Sequence, residues 1–197
     1  MSKIVLVHGL FMPGLIMQYL YRHLKKNGYD VYIFSYNTFQ FEQGVDRLND
    51  SVVQGGRVYF VGHSLGGLLI RRYFEKYNPK FQDSCIVTLG TPHNGSIVAK
   101  KIMEKTSNRL FLKTSDILSN GLKYQNTEVD IGLIIGSLNI GVGNVFKNKN
   151  GDGVVLLEES ILEGAKDTVV INSNHTGLVY SKEAVMHIVR FIKERKF

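Results

Sequence analysis

A lone cysteine sets the first limit. Cys85 has no second thiol to pair with, so no disulfide forms within the chain. Its setting in SCIVTLG reads as a small buried residue rather than a nucleophile, and the lack of a disulfide fits a reducing compartment. Long apolar runs are missing as well: nowhere do about 18 apolar residues follow one another, which excludes a membrane-spanning helix. The opening MSKIVLVHGL carries a lysine and then an apolar stretch, but that stretch is short and broken by His8. It reads as structure rather than as a secretory leader, so a cytoplasmic protein is expected. Repeats, linkers and low-complexity segments are also absent from the sequence.

Acid is in short supply: 17 Asp and Glu stand against 24 Lys and Arg, a net charge of +7. The cations are scattered, as Lys25-Lys26, Arg71-Arg72, Lys100-Lys101, Lys147 with Lys149, and the tail from Lys193 to Lys196. They form no stripe with interleaved aromatics, so no nucleic-acid partner is expected. Peripheral contact with an anionic membrane, or an acidic substrate, remains compatible with the balance. With 197 residues and 44% apolar content the chain closes one sizeable core, so residues 1–197 are read as one domain, expected to be a monomer.

Apolar runs rich in β-branched residues recur at 4–7, 31–34, 58–61, 85–89, 129–135 and 168–171, the pattern of strands buried on both faces. Helical spacings lie between them: Ile16, Leu20, Leu24; Val45, Leu48, Val52; Leu65, Leu69, Tyr73, Tyr77; and finally Val185, Ile188, Val189, Ile192. Gly28 is placed to end the first helix and Asn78-Pro79 the third. The alternation predicts an α/β fold, a mostly parallel sheet of about six strands with helices on both faces. Residues 96–127 fit this pattern less well. Val98, Ile102 and Met103 predict a helix, but LFLKTSDILSNGL is apolar without clear period, either a packing helix with a loop or a lid-like excursion over a site.

The stretch VGHSLGG, residues 61–67, puts Gly62-x-Ser64-x-Gly66 between a strand and a helix, the context in which that motif has a mechanical meaning. Such a turn strains the serine backbone and leaves no room for side chains at Gly62 or Gly66. It stands Ser64 Oγ exposed at the carboxyl edge of the sheet, where ligands bind in open α/β folds. A serine hydroxyl is a poor nucleophile until a histidine takes its proton, and that histidine needs an acid to fix its tautomer and stabilise its charge. In this context both follow the serine, acid first.

Of six histidines, His93, His175 and His187 follow Ser64. His187 falls within the last helix pattern, and His93, in TLGTPHNGS, reads as a hydrogen-bonding residue of a loop beside the site. His175, in NSNHTGL, lies between the last strand and the last helix at the right sheet edge, and is the expected base. Among the acids, Asp83, Asp130 and Asp167 stand at strand starts, the wrong edge, and Asp116 lies in the irregular excursion. Asp152, in NGDGVV, follows the penultimate strand and is flanked by glycines, which makes it the expected acid over a plain turn aspartate. The oxyanion requires two backbone donors: the amide of Leu65, and one from VHGLFMPG, where Leu10 is favoured and Phe11 is the alternative. His8 is read as shaping that loop, and His63 as turned away from the nucleophile.

Taken in order, VHGLFMPG, VGHSLGG, TLGTPHNGS, GDGVV and HTGLVYS resemble the α/β-hydrolase superfamily over nearly the whole chain. Within it they look like the small, lidless bacterial lipases and esterases of the Bacillus lipase A kind, with the GPI inositol-deacylase-like proteins as neighbours. The resemblance implies Ser64 as nucleophile, Asp152 as acid, His175 as base, and Leu10 and Leu65 as oxyanion donors. It departs from that pattern in the lack of a leader and in the longer stretch between TPH and the acid. The expected activity is a serine carboxylic-ester hydrolase acting on small-molecule or lipid esters, with Phe11 and Met12 contacting an apolar acyl group and with no cofactor or metal. A thioesterase or acyltransferase would use the same triad, and a non-catalytic ligand-binding member of the fold is a further alternative.

Overall fold

A computed structural model describes residues 2–53, 55–104, 112–123, 128–140 and 150–197. Six strands form one sheet: β1 (Lys3–Val7), β2 (Asp30–Phe34), β3 (Val58–His63), β4 (Cys85–Leu89), β5 (Asp130–Gly136) and β6 (Asp167–Ile171). Their order is β2-β1-β3-β4-β5-β6 and every pairing is parallel. Burial follows position in this order. The central strands β3 and β4 are buried along their whole length, whereas the edge strands β2 and β6 alternate between exposed and covered residues. A continuous apolar run is the signature of a strand with helices on both faces.

Seven α-helices are described: α1 (Gln18–Lys26), α2 (Phe41–Ser51), α3 (Leu65–Tyr77), α4 (Ile97–Glu104), α5 (Leu112–Asn120), α6 (Leu157–Ser160) and α7 (Lys182–Glu194). Two apolar cores divide them between the faces of the sheet. On one face Val5, Val7, Phe60 and Ile86 pack against Leu48 of α2, Leu68 and Tyr73 of α3, and Leu118 of α5. On the other, Ile4, Leu6, Val61 and Val87 meet Leu20 and Leu24 of α1 and Ile188 and Phe191 of α7. Neighbouring residues of each strand thus serve opposite layers, and each fully buried Leu or Ile contributes about 1.5–3 kcal/mol.

The helix ends fall where the sequence marks them. Asn78 caps α3 in the left-handed conformation at φ 40°, directly before Pro79, and Gly28, at φ 88°, follows the last turn of α1. Ile16, expected in the first helix, instead lies in a 3₁₀ turn, Gly14–Met17, that feeds into α1. β3 runs to His63 rather than residue 61, because Gly62 and His63 still pair with Thr88 and Leu89 of β4.

The irregular stretch 96–127 contains α4 and α5, while 105–111 and 124–127 lie outside the described residues. α5 is anchored to the body: Leu118 is buried in the core, its carbonyl accepts from the Ser96 amide at 2.7 Å, and Thr114 Oγ1 donates to the Thr38 carbonyl at 3.0 Å.

Candidate active site

Ser64 closes β3 and opens α3. Its backbone stands at φ 54° and ψ −123°, a left-handed conformation that a serine adopts only under constraint. The constraint is visible. Its N–H donates to the Leu89 carbonyl at 2.9 Å, and its own carbonyl accepts from the Gly67 amide and from Thr91 Oγ1, both at 3.0 Å. The flanking glycines are required by space: a Cβ on Gly62 would stand 2.5 Å from the Gly67 nitrogen, and one on Gly66 would stand 2.2 Å from the Val7 carbonyl oxygen. Ser64 is buried rather than exposed as its motif leads one to expect, with 8% of its surface accessible, because the loop after β1 covers it: Gly9 approaches so closely that a Cβ there would stand 2.9 Å from Ser64 Cβ.

Residues 141–149 lie outside the described set. Beyond them, Asp152 comes back to the carboxyl end of β5, where Gly136 is so near that a Cβ would meet Asp152 Cβ at 2.7 Å. The Asp152 carboxylate is fully committed. Oδ1 accepts from the amides of Val154 at 3.0 Å and Val155 at 2.8 Å, and Oδ2 accepts from His175 Nδ1 at 2.7 Å. A second link joins the two residues, the His175 amide donating to the Asp152 carbonyl at 2.8 Å. Both are buried. Since the ionised carboxylate only accepts, Nδ1 of His175 carries the hydrogen and Nε2 is left as the basic nitrogen.

This pair lies against the backbone support of Ser64. Gly90, the residue after the carbonyl that takes the Ser64 N–H, is so close that a Cβ on it would meet Asp152 Oδ2 at 2.7 Å and His175 Nδ1 at 3.1 Å. The residue before Ser64 touches His175 too. His63 places its ring 4.6 Å from that of His175 and donates from Nε2 to the His175 carbonyl at 3.0 Å. The structure therefore gathers Ser64, Asp152 and His175 around Gly90, at the carboxyl ends of β3, β4 and β5.

Leu65 occupies the first position of α3 and is fully buried. The first amides of a helix have no intrahelical acceptor and carry its positive dipole end, so the Leu65 N–H is suited to a developing negative charge. Leu10 is half-buried in the loop after β1, next to the Gly9 that abuts Ser64. Phe11 follows at φ 54°, a second strained non-glycine residue, with 62% of its surface exposed and its ring edge-on to Phe39 at 5.6 Å. Met12 is half-buried and Leu15 exposed beside them.

The remaining histidines of the region, His8, His63 and His93, are buried. His8 is buried, its Nδ1–H donating to the Gly9 carbonyl at 3.0 Å while Nε2 accepts from the Tyr36 amide at 3.3 Å, which shapes the loop as its position implies. Burial lowers its pKa. His93 Nδ1 accepts from Arg71 Nη1, so Nε2–H faces Thr88 Oγ1, both at 3.1 Å; burial and the guanidinium hold this ring neutral. His63, expected to point away from Ser64, packs against His175, because β3 continues through it and presents its ring to the loop after β6.

Glu159 had no role in the sequence reading. Its buried carboxylate bridges two segments, Oε1 accepting from the Ile97 amide at the start of α4 at 2.7 Å and Oε2 from the Leu156 amide at 2.8 Å. Asn94 reinforces the seam, its Nδ2 donating to the carbonyls of Glu158 and Ile161 at 3.2 and 2.8 Å. The loop TPHNGS thus fastens the segment that carries Asp152. Among the described residues no group of three or more His, Cys, Asp or Glu is placed to hold a metal ion, and no helix is long and apolar enough to cross a membrane.

No protein-family model and no curated protein sequence matches the chain. Solved structures do. The mature form of the Bacillus licheniformis lipase BlEst2 superposes with a TM-score of 0.74 at 18% identity, over 97% of this chain and 90% of that one. MGS-MChE2, an α/β hydrolase enzyme from the sediment metagenome of the Mar Chica lagoon in Morocco, gives 0.67 at 19% identity, over 98% and 91%. A bromoperoxidase from Bacillus anthracis gives 0.67 at 15%, over 98% and 92%. The parallel sheet, its strand order and these superpositions agree: the chain has the α/β-hydrolase fold.

Proposed function

We propose that the chain is a serine carboxylic-ester hydrolase. The observation that carries this reading is the strained Ser64 at the head of α3, with the buried His175–Asp152 pair lying against the same Gly90 that follows the nucleophile's backbone support. His175 Nε2 takes the Ser64 hydroxyl proton as Oγ bonds to the ester carbonyl carbon. The carbonyl oxygen gains the negative charge and is held by the amides of Leu65 and Leu10. The tetrahedral adduct collapses, the bond to the alcohol oxygen breaks, and that oxygen leaves with the proton from His175. Water, deprotonated by the same nitrogen, then attacks the acyl-serine and frees the carboxylic acid. Asp152 stays ionised and stabilises each imidazolium.

Exposed Phe11 and Leu15 after β1, half-buried Phe39 after β2, and exposed Leu138 and Ile140 after β5 put apolar surface at the carboxyl edge of the sheet. They favour an ester with an apolar acyl chain, and with the +7 charge they favour peripheral contact with an anionic lipid surface. The similarity to a protein described as a lipase points the same way.

The test is hydrolysis of p-nitrophenyl esters of increasing acyl length by the wild type and by Ser64→Ala. The reading expects a chain-length optimum that vanishes in the variant. Activity on no length, or activity that survives in Ser64→Ala, would overturn it.

A further inference from the structure

His63 is fully buried, and its two ring nitrogens are unequally provided for. Nε2 faces the His175 carbonyl at 3.0 Å, and since a carbonyl oxygen only accepts, Nε2 carries the hydrogen. Nδ1 therefore keeps a lone pair, and among the described residues it has no hydrogen-bond partner. It faces Gly9, where a Cβ would stand only 3.2 Å away. A buried nitrogen without a partner is costly, and a leucine or phenylalanine filling the same space would avoid that cost. What those residues lack is the N–H toward residue 175.

We propose that His63 is a positioning residue that holds His175 in its working orientation. The inference rests on reading His175 as the base. Asp152 fixes His175 through Nδ1 and through its backbone N–H; His63 holds the backbone carbonyl of that residue and backs the imidazole with its own ring at 4.6 Å and a 49° tilt. The base is thereby tied to the strand that presents the nucleophile as well as to the acid. The ring must also remain uncharged, because a second cation there would oppose the imidazolium formed when His175 accepts the Ser64 proton. Burial, with the neighbouring His175 and His8 adding to it, pushes the His63 pKa down to about 3.

The test compares His63→Leu, which fills the space without a donor, with His63→Gln, whose amide nitrogen reaches the position of Nε2. His63→Asn, too short to reach the carbonyl, serves as a second donor-loss variant if leucine does not fold. Two readouts are taken: kcat and KM on a p-nitrophenyl ester, and the low-field proton resonance of the His175 Nδ1–H bonded to Asp152. A positioning role predicts that kcat falls about 10–100-fold in the donor-loss variants with KM nearly unchanged, as small misplacements of a catalytic group do. It also predicts that their His175 resonance broadens or is lost, and that His63→Gln restores both. An unchanged resonance and kcat in His63→Leu would overturn the proposal, as would an equal loss in all variants that tracks their unfolding temperature. If the wild type hydrolyses no ester, the reading of the chain as a hydrolase fails on its own. The resonance comparison then still decides whether His63 orients His175.

Discussion

The main-chain N–H of Ser64 donates to the carbonyl of Leu89 at 2.9 Å, and the residue after Leu89 is the surface on which Asp152 and His175 rest. Ser64 and the His175–Asp152 pair are therefore referenced to one peptide of β4. Gly90→Ala tests this arrangement. Its φ of 54° costs an alanine about 1–2 kcal/mol, and the new methyl stands 2.7 Å from Asp152 Oδ2, where the carboxylate must move. Ester hydrolysis is expected to fall on the order of 100-fold, far out of proportion to the loss of stability measured by denaturant titration. Near-wild-type activity would show that the pair does not depend on Gly90.

Asp152→Asn keeps the shape of the acid and removes its charge. The new amide can donate to His175 Nδ1, which favours the wrong tautomer and leaves the imidazolium without its counter-charge. A loss of kcat on the order of 10⁴-fold is expected, with a folded protein by circular dichroism. A loss of only a few fold would remove Asp152 from the mechanism.

Glu159 accepts from two backbone amides 59 residues apart in sequence, those of Ile97 and Leu156. Glu159→Ala leaves both amides without that acceptor and is expected to cost about 2–4 kcal/mol in urea denaturation. Because the same segment carries Asp152, activity should fall before global unfolding, at lower urea than the circular dichroism signal. Coincident loss of both signals would show that Glu159 serves stability alone.

Buried neutral histidines make the fold acid-sensitive. His63 has a folded pKa of about 3 against 6.5 for the free side chain, and the folded pKa values of His8 and His93 are lowered in the same direction. Between those values the unfolded chain binds the proton and the folded chain does not. Stability is therefore fully present above about pH 6.5 and is lost as pH falls toward 3, by about 1.4 kcal/mol per pH unit for each such histidine in its window. His63→Gln is expected to flatten the slope of unfolding free energy between pH 6 and about 4 by that amount. An identical slope in variant and wild type would mean that His63 titrates normally.

Much of the molecule is legible in the sequence because its physics is local. The runs at 58–61 and 85–89 are continuous because both sheet faces are covered, and a strand followed by Gly-x-Ser-x-Gly can only make a strained turn at Ser64. Asp152 and His175 follow from the order of residues that a serine requires, and they stand 2.7 Å apart. What escapes the sequence is long-range. Which way His63 faces depends on a loop 112 residues later, and the two amides that Glu159 accepts belong to segments brought together only by the fold. α5 is weakly marked because it is short and gives Leu118 to the core while Thr114 bonds a distant carbonyl.

The cationic balance and the exposed apolar edge predict binding to vesicles containing phosphatidylserine, weakening as salt is raised from about 0.05 to 0.5 M. Binding indifferent to both salt and anionic lipid would remove the membrane from the proposal.

The most direct test of the central claim is covalent labelling with a fluorophosphonate, read by mass spectrometry of the digested protein. A nucleophilic Ser64 activated by His175 predicts one adduct, on Ser64, absent in Ser64→Ala and formed far more slowly in His175→Ala. No adduct on the folded wild type, or an adduct on another residue, would contradict it.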